Sequence, residues 1–110
     1  MRKKYLRDFI ARLDRGDFYD AHEALEALWF PQRFSKDDEI KVLKGYINAA
    51  VSFELIKRCR KAPAHKVFQT YLKYKKLRLS LYSKDDSEYL AVERCIDDLV
   101  LKNEWDFLLT

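Results

Sequence analysis

His22 and Glu26 stand four residues apart in a stretch with helical periodicity, so their side chains meet one turn apart on one flank of a helix. A neutral imidazole nitrogen and a carboxylate oxygen are both ligands for a divalent metal such as zinc, manganese or iron. Stepping about 100° per residue puts Phe18, Leu25 and Trp29 on that helix's apolar stripe, with His22 just beyond its edge and Glu26 beside it. The next helix supplies a third candidate. Its stripe is Ile40, Leu43, Ile47, Ala50 and Val51, and Glu54 falls in the middle of it. A carboxylate centred in an apolar stripe is costly unless it is paired or coordinated. Antiparallel packing of the two helices would bring His22, Glu26 and Glu54 together. One outcome is a metal centre with open positions, where bound water loses a proton easily and a substrate oxygen is polarised, the chemistry of metal-assisted hydrolysis. The other is a structural network in which His22 pairs with the glutamates and sets helix register, as in a non-catalytic interaction module. Trp29 sits on the stripe, which makes it a core residue first and a wall of the His/Glu pocket second.

Residue counts exclude several sharper chemistries. The H-E-x-x-H zinc pattern needs a second histidine where this chain has Glu26. A di-iron site needs two E-x-x-H motifs, but Tyr19 precedes His22 by three and Ala62 precedes His65 by three. Glycine occurs only at positions 16 and 45, so phosphate-cradling loops and nucleophile elbows are impossible. Cys59 lies among Lys57, Arg58 and Arg60, which favours a thiolate, yet no histidine stands beside it in sequence. Cys95 falls near the stripe of a later helix and reads as core. Two cysteines make neither a disulfide framework nor a C-x-x-C pair, which fits the reducing cytoplasm.

These residues need elements to hold them. The chain has 110 residues, 48% of them apolar, with only two glycines and two prolines, a composition for one helical domain over 1–110. Leu6, Phe9, Ile10 and Leu13 mark a first helix closed by Gly16, and Asp17 is placed to cap the second, about 18–30, ahead of Pro31. Ser35 with Asp38 reads as a capping box for a third helix to about Arg60, in which Gly45, Ala49 and Ser52 form a small-residue strip for a close neighbour. Pro63 opens a fourth helix to about Tyr82, and Ser83 with Asp86 opens a fifth with the stripe Tyr89, Val92, Ile96 and Leu99. Trp105, Phe107, Leu108 and Leu109 make an apolar tail expected to dock on the bundle or on a second copy as a homodimer. The expected fold is an all-α antiparallel bundle of about five helices. No run approaches the ~20 apolar residues of a membrane helix, and the opening residues lack a signal-peptide core, so a cytoplasmic protein with no membrane association is expected.

Charge is unevenly spread. Residues 55–84 hold ten Lys/Arg and no acid, while residues 85–110 hold eight acids against Arg94 and Lys102. The leading expectation is that the basic helix lies beside the acidic one and the two mostly cancel. The alternative is a polyanion or RNA surface formed by Lys57, Arg58, Arg60, Lys61, Lys66, Lys73, Lys75, Lys76 and Arg78, with Tyr71, Tyr74 and Tyr82 interleaved for stacking.

The run from Gly16 to Trp29, with His22, Glu26 and Trp29 in H-x-x-x-E-x-x-W spacing, resembles the signature of domain-of-unknown-function family 309. Leu43-Lys44-Gly45-Tyr46-Ile47-Asn48-Ala49-Ala50 is similar to the family's next segment, although Asn48 stands where glutamine is usual. The likeness covers about residues 5–80 and leaves out the last helix and tail, about 85–110. It implies a small helical bundle and a metal-binding role for the His/Glu motif, with no reaction attached. Glu54 departs from the aromatic or histidine residues of relatives, so it either adds a ligand or turns the site into an ion-paired network.

Overall fold

A computed structural model describes residues 2–81 and 83–110, so the stacking role expected of Tyr82 lies outside the described residues. Five helices follow in order: α1 (Arg2–Asp14), α2 (Phe18–Trp29), α3 (Asp38–Lys57), α4 (Lys61–Lys75) and α5 (Asp86–Lys102). Short 3-10 turns continue α2 over Phe30–Gln32 and α4 over Lys76–Ser80, and another closes the tail over Asp106–Leu109. Among the described residues there is no strand, and no helix is long and apolar enough to cross a membrane.

The axis of the fold is α3, whose Val42, Leu43, Tyr46, Ala49, Ala50 and Phe53 are all fully buried. A helix apolar nearly all round must be covered nearly all round. On one side α4 folds back on the Gly45/Ala49/Ser52 strip. A Cβ on Gly45 would lie 3.1 Å from the Tyr74 Cβ, and the Ser52 hydroxyl donates to the Ala64 carbonyl at 2.7 Å. On another side α2 runs antiparallel to α3. Phe18 meets Phe53 at 5.4 Å between ring centroids, and Lys44 lies over Trp29 near the other end. The second layer is α1, packed on α2 and α5.

Three helices end in the same way. After α1, α3 and α5 the chain turns through a left-handed residue, Gly16 (φ 77°), Cys59 (φ 62°) and Glu104 (φ 57°). The amide three residues past each helix reaches back to a carbonyl of its last turn: Asp17 to Arg12, Arg60 to Leu55, and Trp105 to Val100. Only the first carries glycine, the usual residue for this conformation. The expected third helix therefore ran to Arg60, whereas α3 stops at Lys57.

The N-terminal signals hold in place but not in chemistry. Asp37, not Ser35, caps α3, its carboxylate accepting from the Glu39 amide at 3.0 Å, while the Ser35 hydroxyl accepts from the Asp37 amide at 3.2 Å. Asp17 precedes α2 with its side chain 3.3 Å from Arg15. At Pro31 α2 tightens into a 3-10 turn, and the fourth helix likewise tightens into one after Lys75, short of Tyr82.

The tail docks on its own chain. Leu108 is fully buried, its carbonyl accepts from Gln69 at 2.8 Å, and Trp105 packs 5.1 Å from Phe53. Leu109 at the tail's end remains 55% exposed. Cys95 is half-buried; burial, then a bond to Asp14, pushes its thiol up to about 12, so it stays protonated and inert.

Polar groups tie α5 to the rest. Glu39 of α3 accepts from the hydroxyls of Tyr89 and Ser83 and pairs with Arg2 at 2.8 Å. Burial opposes its charge, but these donors outweigh it and hold Glu39 below the ordinary glutamate range. A lowered carboxylate contributes stability at pH above its unfolded value, and that contribution is lost as pH falls through the folded value. Urea denaturation repeated from neutral pH into acid is expected to show a shallower acid-side decline for Glu39→Gln than for the natural protein. Identical pH dependence would remove Glu39 from the acid-labile set.

Candidate functional site

The antiparallel pairing of α2 with α3 sets Tyr19 and His22 across from the last turn of α3. A cleft of about 170 Å³ opens there, walled by Tyr19, His22, Glu54, Arg58 and Arg60 over a floor of Val51 and Leu55. The left-handed turn at Cys59 carries Arg60 to the cleft rather than further along the helix axis.

His22 Nε2 lies 3.0 Å from Glu26 Oε2. A carboxylate only accepts, so Nε2 is the donor in this contact, and in the neutral form of the ring Nδ1 is the nitrogen that keeps a lone pair. Glu26 is not part of the cleft wall; it holds the imidazole of His22, which is. Tyr19 meets the imidazole edge to face at 5.7 Å. Across from it, Glu54 Oε1 accepts from Arg58 Nε at 3.1 Å, with 18% of the Glu54 side chain exposed. Arg60 makes no ion pair among the described residues.

His22 and Glu54 thus share a cleft as the stripes implied, and Glu26 adjoins it through His22. The three do not form a metal-ligand group. Among the described residues, no three His, Cys, Asp or Glu side chains are gathered to hold a metal. The physical reason is local. Glu54 finds a cation one turn along its own helix, Glu26 is turned toward the imidazole, and two guanidinium groups beside the cleft oppose a second cation. Trp29 is not a wall of this cleft either. It lies two turns from His22, half-buried, with the Lys44 ammonium 5.4 Å from its ring centre. Tyr19, Leu55, Arg58 and Arg60 are the cleft residues the stripes did not identify; the Glu54/Arg58 spacing of four was the one local signal for Arg58.

The basic segment divides. Helix α5 packs on α1, and its ion pairs to the α4 side among the described residues are Lys75 to Asp97 and Arg78 to Glu93 and Asp86. The expected cancellation therefore covers Lys75 and Arg78. Lys57 donates to the Gly16 carbonyl and Arg58 to Glu54. Arg60, Lys61, Lys66, Lys73 and Lys76 have no acidic partner among the described residues. Tyr71 is fully buried and donates to Asp97 at 3.0 Å, which removes it from any stacking surface. Half-buried Tyr74 remains available.

A family model described as a domain of unknown function, DUF309, matches residues 6–67. The match spans α1 to the first half of α4, somewhat less than the 5–80 likeness, and includes the whole cleft. No curated protein and no solved structure gives a significant match to the chain.

Proposed function

This chain belongs to the DUF309 family, whose description assigns no function, and from that premise we propose that the α2–α3 cleft binds a small anionic ligand, a carboxylate or phosphate, and exchanges a proton with it through His22. One observation carries the reading: an imidazole held by Glu26 at 3.0 Å lines a cleft that two arginines also wall. A carboxylate on one ring nitrogen fixes the tautomer and leaves the other nitrogen as proton acceptor, the arrangement a general base requires. Glu54 is already matched by Arg58, and Arg60 is the cleft cation with no acidic partner among the described residues. At about 170 Å³ the cleft suits a small acid or a terminal phosphate rather than a drug-sized molecule.

The test is titration with inorganic phosphate and with acetate, read by the NMR signals of the His22 ring. A saturable shift is expected, weakened roughly tenfold in Arg60→Gln, the loss of one charge-assisted hydrogen bond. Arg60 is exposed, so the variant keeps its thermal stability. Absence of a saturable shift would overturn the reading. The same sample, incubated with zinc, manganese or iron(II), decides its main competitor. Near-stoichiometric metal lost in His22→Ala would replace the anion site by a metal centre suited to assisted hydrolysis. Neither ligand nor metal, with Glu26→Gln merely less stable, would leave a structural network in an interaction module.

A further inference from the structure

At the far end of α2 from the cleft, Phe34 is 85% exposed and Phe30 51% exposed. The Arg33 guanidinium lies over both rings, 3.6 Å from the centre of Phe30 and 4.4 Å from that of Phe34. It is held there by donation to the Phe30 carbonyl at 2.8 Å. Phe30 meets Trp29 edge to face at 6.5 Å, and Lys44 caps Trp29. The neighbouring Gly45 brings α4 close enough that Tyr74 adjoins α3, and Lys73 lies 5.4 Å from the Tyr74 ring centre. Rings and cations thus alternate from the end of α2 across α3 to α4.

The nearby acids have contacts of their own. Asp37 caps α3, Asp38 lies 3.8 Å from Lys41, and Glu39 pairs with Arg2. Lys44 and Lys73 have no acidic partner among the described residues.

We infer that this strip, from Phe34 and Arg33 to Lys44 and Lys73, binds a single-stranded segment of RNA. Exposed rings offer stacking faces to unpaired bases, and the interleaved amines and guanidinium offer charge to the phosphates between them. Charge complementarity selects a polyanion over an apolar peptide, because each ring already carries a cation where a protein partner would need dry contact. Duplexes hide their base faces, whereas RNA presents unpaired bases in loops, bulges and ends. The inference is independent of the cleft and stands if that site proves empty of ligand chemistry.

Fluorescence anisotropy with a labelled single-stranded RNA of about 12 nucleotides, within the usual site size of such grooves, tests it. Binding is expected to weaken linearly in log–log form with salt, each lysine contact contributing about 0.7 to the slope. Phe34→Ala should weaken binding at least about fivefold with the slope unchanged, the low end for one base stacked on one ring. Lys44→Gln and Lys73→Gln should each flatten the slope instead. All three side chains are exposed, so circular dichroism should report an unchanged fold. The inference fails if RNA does not bind at low salt, or if Phe34→Ala leaves affinity unaltered. It fails equally if duplex RNA, heparin or the matching single-stranded DNA binds as tightly.

Discussion

Replacing Phe53 with alanine is expected to lower stability by about 3–5 kcal/mol, the usual range for emptying an aromatic site in a core. Phe53 is fully buried at the junction of α2, α3, α4 and the tail. Its ring contacts Phe18 at 5.4 Å, Phe68 at 6.0 Å and Trp105 at 5.1 Å between centroids. Those neighbours are themselves large, rigid rings from different elements, so they relax poorly into the void. A domain of this size has roughly 5–15 kcal/mol in total, so the variant should unfold at far lower urea. Docking of the tail should loosen with it, visible as altered tryptophan fluorescence from Trp105. A loss below about 1 kcal/mol would mean that the core collapses around the site, contrary to the packing described.

Arg78→Ala is expected to cost a comparable 3–5 kcal/mol, for an electrostatic reason. Glu93 of α5 is buried, with only 7% of its side chain exposed, and its Oε2 accepts from Arg78 Nε at 2.7 Å and from the Tyr46 hydroxyl at 2.6 Å. Arg78 also pairs with Asp86 at 3.1 Å. Burial, followed by the bond to Glu93, raises the Tyr46 phenol well above its ordinary value, so it serves as a neutral donor. Removing Arg78 leaves a buried carboxylate with one neutral partner, and the desolvation of that charge then goes unopposed. Glu93→Gln added to Arg78→Ala should recover most of the loss, because it deletes the charge while keeping a hydrogen-bonding amide. The double-mutant cycle, read by urea denaturation, separates this from lost arginine packing. If Arg78→Ala cost no more than an exposed ion pair, about 1 kcal/mol or less, the pair would be solvated rather than buried.

Much of this was legible because helices are local. Leu6, Phe9 and Leu13, and Tyr89, Val92 and Ile96, repeat at helical spacing, and all six are fully buried. The Gly45/Ala49/Ser52 strip announced a close neighbour because small side chains at that spacing leave a groove, and α4 lies in it. Helix ends were less legible. Cys59 and Glu104 adopt the left-handed conformation that glycine marks at Gly16, so residue type gave no warning where α3 stops. Glu93 was equally hidden, since an acid on an exposed face and an acid buried against Arg78 look alike until α5 is placed.

By itself, then, the order of residues determined the five helices and the His22/Glu26 pair, because each depends on contacts within about one helical turn. Only the tertiary structure decided which charges meet. Glu54 satisfied itself with Arg58 rather than joining His22 and Glu26 around a cation, and Arg60 was swung into the cleft by a turn whose residue type conceals it. Helix α5 settled on α1, so Asp97 and Glu93 reached Lys75 and Arg78 but left Lys66, Lys73 and Lys76 facing outward. A charge takes whichever opposite partner offsets its desolvation, and that choice depends on distances between helices that periodicity within each does not contain.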